Sequence, residues 1–200
     1  ELASHDNKLA NIYLDASGTG INIGNANVGN TALKIYVKDG NTLSENITIT
    51  NYNNLAEGEL GNDIVIDGNL LTTGKLTLIN EESNIHNQGN VAGSEVLMNA
   101  VGDVTQKGSI NVTGSESTVT DFIGAKLVAG GNVSVIDGNI TSSKVTLEAG
   151  KNVSVSGGDI NAGNGTVTMQ ASADVKINGG SILAQAGTVN ITATQNMEQC

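Results

Sequence analysis

Few side chains in this sequence are reactive enough to do chemistry by themselves. The histidines are His5 and His86, and the one cysteine is Cys200. His5 lies in a polar stretch, and His86 takes an outward or corner place in a short alternating run. Neither is spaced to pair with a serine or cysteine nucleophile, or with a second histidine for zinc. Both are therefore expected to be solvated. Cys200 has no internal disulfide partner, so it is expected to be a terminal thiol, a truncation point or half of a pair completed elsewhere. Gly157 to Gly165 faintly echoes a calcium-binding glycine/aspartate repeat, but the Gly-Gly-x-Gly-x-Asp order is not met. A plain glycine/asparagine corner is expected there. One motif is in excess: Asn-x-Ser/Thr begins at Asn46, Asn111, Asn132, Asn139, Asn152, Asn164 and Asn190. Such sequons follow from a chain rich in Asn, Ser and Thr, and they are also the acceptor sites for N-linked glycans on an exported protein.

Composition and charge exclude several classes. The 200 residues carry 20 acids against 9 cations, all lysine, for a net charge of -11. A chain this acidic, without a basic stripe, is a poor partner for nucleic acid or an anionic membrane, whose affinity rests on neutralising phosphate. No run of about 18 apolar residues exists to span a bilayer as a helix. Val, Ile and Thr are abundant and evenly spread, which argues against disorder. Pro, Trp and Arg are absent, whereas Gly occurs 26 times and Asn 27. Glu1 to Asn11 has neither a cationic start nor an apolar stretch, so any export signal is expected outside these residues.

The elements that must carry these residues show themselves as a repeat. Lys144-Val-Thr-Leu-Glu-Ala149, Thr166-Val-Thr-Met-Gln-Ala171 and Thr188-Val-Asn-Ile-Thr-Ala193 superpose at a step of 22. A second short strand follows each first one, with leading apolar residues Ile64, Ile85, Val104, Val133, Val153 and Val175. A third, briefer element follows a glycine corner, as at Gly138-Asn-Ile140 and Gly158-Asp-Ile160. Alternation of period two turns every second side chain toward one interior, and no segment is long enough for a crossover helix. The economical solution is an all-β chain wound as a right-handed parallel β-helix, a single-stranded solenoid of about 22 residues per coil. Nine or so coils at about 4.8 Å each give a rod on the order of 40 Å long. Interior stacks are expected to be Val, Ile, Leu, Met and Ala, with Gly and Asn at corners of positive φ. Like residues in successive coils, such as Asn132 and Asn152, can form an amide ladder.

One continuous domain over 1–200 is expected, with less regular coils over 1–60 and regular ones over 61–195. Strands are placed at 12–14, 21–23, 33–37 and 47–49 in the less regular part. The step from Val104 to Val133 is 29, and the extra residues form an insertion over 112–124 that carries Glu116, Asp121 and the sole phenylalanine, Phe122. Insertions on solenoids usually hold function, so this one is the best candidate contact site.

Parallel β-helices include polysaccharide lyases and hydrolases, which gather a basic residue and clustered acids. Here Asp63, Asp67, Asp103, Asp137, Asp159 and Asp174 are spread one or two per coil. Asp67 and Asp137 take the same corner but several coils apart, beyond the reach of a shared water. No enzyme, metal or cofactor is expected.

Glu148-Ala-Gly-Lys-Asn-Val-Ser-Val155 and Val128-Ala-Gly-Gly-Asn-Val-Ser-Val135 resemble the repeats of filamentous haemagglutinin and the high-molecular-weight adhesins, exoproteins of two-partner secretion in Gram-negative bacteria. The likeness covers roughly residues 60 to 195. It implies an outer-membrane transporter as partner, a secreted or cell-surface rod that is part of a longer exoprotein, and adhesion to a host-cell receptor, glycan or matrix. It also implies glycan acceptance at the seven sequons, since some of these adhesins are glycosylated there. The Asn-Pro-Asn motifs of the secretion domain cannot occur in a chain without proline, so a shaft or distal segment is implied. Such adhesins can end in a cysteine pair, which Cys200 alone does not complete. An adhesive rod is thus the leading expectation, with the shaft of a contact-dependent toxin exoprotein or a carbohydrate-active β-helix enzyme as alternatives.

Overall fold

Alternating Val, Ile and Thr favour extended backbone, and the glycine-rich breaks keep the longest strands to 6 residues. In the computed structural model these strands close into a β-solenoid, each hydrogen-bonded in parallel to its counterpart one coil away. The structure describes residues 2–3, 11–14, 21–24, 33–37, 46–51, 63–66 and 68–199, with side chains over 46–50, 63–66 and 68–199. Among these residues there is no helix, hence none long and apolar enough to cross a membrane.

Two sheets have nine strands and the third has six, so about six coils carry all three faces. One coil shows the order: Lys144–Ala149 in the first sheet, Val153–Ser156 in the second, Asp159–Gly163 in the third. The next coil repeats it with Thr166–Ala171, Val175–Asn178 and Ser181–Ala184. Register follows the sequence repeat: Val145 pairs with Val167 and Val167 with Val189, while Leu147 and Ile191 flank Met169. Asn11–Leu14, Ile21–Gly24, Leu33–Val37 and Ile47–Asn51 continue the first two sheets despite lacking a clean period.

Stacked side chains fill the space between the sheets. Ile64, Ile85, Val104, Val133 and Val153 form one fully buried column. Leu78, Met98, Leu127, Leu147 and Met169 form another, and the third sheet adds Leu70, Val91, Ile110, Ile140 and Ile160. Each such side chain contributes about 1.5–3 kcal/mol by leaving water. Val189 and Met197, in register with the buried Val167 and Val175, are exposed, and Leu183 is exposed on the outward face of the third sheet.

The interior differs from a purely aliphatic one. Asn87 and Gln106 occupy inward places in the second sheet and are fully buried. Asn87 donates from Nδ2 to Gln106 Oε1 (2.9 Å), Gln106 donates from Nε2 to the Gly108 carbonyl (2.8 Å), and Asn87 Oδ1 accepts the Gly89 N–H (3.2 Å). Buried amides survive because these bonds replace the ones lost to water.

Gly and Asn also divide the corner work differently from expectation. Among the described residues the non-glycine residues at positive φ are Asp121 and Asp137, not asparagines. Many corner glycines answer to close stacking instead. A Cβ on Gly108 would lie 1.8 Å from the Gly89 carbonyl oxygen, and one on Gly89 would lie 1.9 Å from that of Gly68. Asparagine serves mainly in ladders between coils.

Candidate functional site

The insertion leaves the stack at one corner and returns without disturbing it. The strand Ser109–Val112 ends with Val112 buried, and Thr113 and Gly114 still donate their N–H groups to Gly93 and Ser94 of the coil before (2.9 and 3.1 Å). From Ser115 the chain turns on itself. The N–H groups of Thr118 and Val119 both reach the Ser115 carbonyl (3.0 and 2.9 Å), and the Thr118 hydroxyl accepts the Ser115 N–H at 2.9 Å. Pairing resumes where Val96 donates its N–H to the Gly124 carbonyl at 2.9 Å, and Ala125 lies in register with Val96.

Three anchors hold this loop against the rod. Phe122, 5% exposed, inserts into the core, and Val119 packs beside it. Glu95, buried at the start of the strand Glu95–Ala100, accepts the Ile123 N–H on Oε1 at 2.7 Å, and its Oε2 meets Lys75 Nζ at 2.6 Å. A buried carboxylate is tolerable only with such partners, and the bond it accepts contributes about 1.5–3 kcal/mol. From the following coil, Lys144 Nζ donates to the Phe122 carbonyl at 3.1 Å. Phe122 is thus a plug and not a presented aromatic. Glu95 has the outward parity of its strand, in register with Lys75, and a polar residue there is what the repeat predicts, so nothing in the sequence signals its burial.

Two shallow clefts flank the loop, about 670 Å³ and 630 Å³, and share Glu116 and Lys144. The first is walled by Ser115, Ser117, Ser143, Asn164 and Thr166, the second by Val119, Thr120 and Asp121. Hydroxyls, one amide, one ammonium and carboxylates are thereby presented on a rigid edge. Such a lining suits hydrogen bonding to a polar partner.

The remaining candidate residues do not converge here. His86 Nε2 stands 3.3 Å from Asp63 Oδ2, and the Ser83 hydroxyl donates to Asp63 Oδ1 at 2.7 Å. Nucleophilic catalysis needs histidine in the middle, taking the serine proton; here aspartate is in the middle, so the set holds Asp63 in place. Burial works to raise the Asp63 carboxyl, yet the bonds donated by Ser83 and Asn84, with His86 alongside, outweigh it and hold it below the ordinary value of 3.8.

Asp63 also opens a ladder that climbs the second corner. Asn84, Asp103, Asn132, Asn152, Asp174 and Asn196 each donate a backbone N–H to the side-chain Oδ1 of the member one coil earlier, at 2.7 to 3.3 Å. Asn132 Nδ2 reaches Asp103 Oδ1 at 3.1 Å and Asn152 Nδ2 reaches Asn132 Oδ1 at 3.0 Å. Asp137 instead turns a left-handed corner, and Asp159 lies on the third sheet beneath Ser181. Among the described residues no three His, Cys, Asp or Glu side chains are grouped to hold a metal ion. The Gly157–Gly165 stretch forms a corner, the strand Asp159–Gly163 and a turn.

The sequons fall into two sets. Asn132 and Asn152 are half-buried with Nδ2 committed to the ladder. Asn46, Asn111, Asn139, Asn164 and Asn190 are exposed; Asn46 Oδ1 accepts the Lys75 N–H and Asn139 Oδ1 that of Asp159. His5, Asp67 and Cys200 lie outside the described residues. Comparisons with protein-family models, with curated proteins and with solved structures return no match to this chain.

Proposed function

We propose that this chain is the shaft of a secreted bacterial surface adhesin, and that the loop over 115–123 with its two clefts is where it touches its partner. The observation that carries the reading is the pinned loop itself. A regular stack is opened outward by a segment held through Phe122, Glu95 and Lys144. Binding through a loop already ordered avoids a cost of about 0.5–1.5 kcal/mol for each side chain that would otherwise be immobilised. Serine and threonine hydroxyls beside Glu116 and Lys144 fit a polar host glycan or matrix surface.

Passage through an outer-membrane transporter of the two-partner kind belongs to the same reading. Coils that contact only their neighbours can form one after another outside the cell, with no ATP. A net charge of -11 keeps neighbouring rods apart. Exposed sequons would then carry glycan on the rod's outer faces. The reading assigns no reaction to the rod.

The test replaces residues 115–123 by a short connection like those of neighbouring coils and measures attachment to host cells and matrix proteins. Attachment is expected to fall to background while the rod keeps its β circular dichroism spectrum and a cooperative melt, its stability lowered by about 3–5 kcal/mol for the loss of the Phe122 plug. Full attachment by the shortened, folded rod rules the loop out as the contact.

A further inference from the structure

The sequence contains two Asn-Gly steps, Asn164-Gly165 and Asn178-Gly179. At such a step the glycine amide nitrogen can attack the asparagine Cγ. A C–N bond forms, ammonia leaves and a five-membered succinimide results. Water then opens the ring at either carbonyl, giving aspartate or isoaspartate, the latter with the main chain rerouted through Cβ. No oxidant or catalyst is needed, only water. What the reaction requires is a nitrogen free of other bonds and room for the ring to close.

The two steps differ in this respect. Gly165 donates its N–H to the Ala162 carbonyl at 2.8 Å. It also lies hard against the coil before, where a Cβ would stand 1.6 Å from the Ser143 carbonyl oxygen. Its nitrogen is engaged and its backbone wedged. At the other step Asn178 ends the strand Val175–Asn178 and is exposed, and neither its side chain nor the Gly179 N–H has a hydrogen-bond partner among the described residues. Gly179 is not wedged: a Cβ there would make only ordinary contact, the nearest atom being Gly157 N at 3.6 Å. The Asn178 carbonyl accepts a long bond from the Gly157 N–H, 3.3 Å.

We propose that Asn178-Gly179 is a spontaneous deamidation and isomerisation site, and that conversion there loosens the coils stacked on it while Asn164 is protected. Isoaspartate adds one carbon to the main chain at a corner with no slack. Gly180, at φ +78, sits directly over Gly158, where a Cβ would be 2.1 Å from the carbonyl oxygen. The lengthened corner displaces Ser181 from its place on Asp159 and Ile182 from Ile160. The strands Thr188–Ala193 and Met197–Gln199 stack on this coil and follow its displacement.

The test incubates the whole chain at mildly alkaline pH, natively and in urea, and follows both peptides by mass spectrometry with fragmentation that distinguishes isoaspartate. Natively, the Asn178 peptide is expected to gain one dalton at least tenfold faster than the Asn164 peptide. In urea the two are expected to convert at similar rates. Equal native rates, a silent Asn178, or the same preference in urea would each overturn the assignment. Aged parent is expected to be clipped within 175–199 under limited proteolysis, and aged Asn178→Gln to resist. Equal clipping of the two would refute the loosening.

Discussion

Removing the side chain of Asn132 tests whether the corner ladder bears stability or merely decorates the surface. Asn132→Ala deletes the bond from Nδ2 to the Asp103 carboxylate and the two that Oδ1 accepts from the Asn152 N–H and side chain. A bond to a charged group is worth about 1.5–3 kcal/mol and neutral ones about 0.5–1.5 kcal/mol each. Water reaches this half-buried corner and replaces part of what is lost, so the lower part of the sum applies, about 2–3 kcal/mol. For a domain of this length each kcal/mol moves the melting temperature by about 2–4 °C, giving a fall of about 4–12 °C. Asn139→Ala is the control, since it is exposed and loses only the bond accepted from the Asp159 N–H, under about 1 kcal/mol. Asn132→Asp sharpens the test by setting a second carboxylate against Asp103; it is expected to melt below Asn132→Ala at neutral pH and to recover as the solution is acidified. Thermal and urea melts followed by circular dichroism read all three. If Asn132→Ala melts with the parent, or no lower than Asn139→Ala, the ladder carries no load and the reasoning fails.

Four other outcomes follow from the same geometry. Val153→Asp places a charge between Val133 and Val175 in a fully buried column and is expected to unfold the chain, whereas Ser154→Asp, half-exposed, should shift stability by no more than about 0.5 kcal/mol; equal melts would show the facing to be wrong. Asp63 has a folded pKa held below its unfolded one, so its contribution is present above about 3.8 and disappears as pH falls through the lower folded value. Stability of Asp63→Asn should therefore fall less steeply at the acid end, and parallel curves would dismiss the coupling. Phe122→Ala empties the plug, with an expected loss of about 3–5 kcal/mol and new cleavage by subtilisin between Ser115 and Ile123; a resistant loop would mean the other anchors suffice. In a host that glycosylates sequons after folding, glycopeptide mapping should find sugar at Asn111, Asn164 and Asn190 and none at Asn132 or Asn152; sugar on Asn132 would contradict the ladder.

Much of the winding is readable from residue order because identical constraints recur in each coil. Val145, Val167 and Val189 declare their stacking by recurring at one step, and the short runs before residue 60 declare themselves by alternation even where their spacing is uneven. Polar residues on inward places are harder. Asn87 and Gln106 fall outside the aliphatic set expected for the interior, because only cross-coil bonds, invisible to pattern, make their burial tolerable. Asn132 over Asn152 is foreseeable from likeness, but Asp63, Asp103 and Asp174 join the same ladder because a carboxylate oxygen accepts as an amide oxygen does, and residue identity hides that equivalence. At the loop, spacing locates the excursion. The anchoring by Glu95 depends on two partners 20 and 28 residues away along the chain, a distance that no local motif records.

That excursion leaves and rejoins with Val96 and Ala125 still paired, so the length of chain spent outside does not enter the arithmetic of the stack. The corner after Val112 is in effect a socket. Foreign peptides fitted between Gly114 and Phe122, with Phe122 and its ties to Glu95 and Lys144 kept, would be displayed at a fixed height along the shaft.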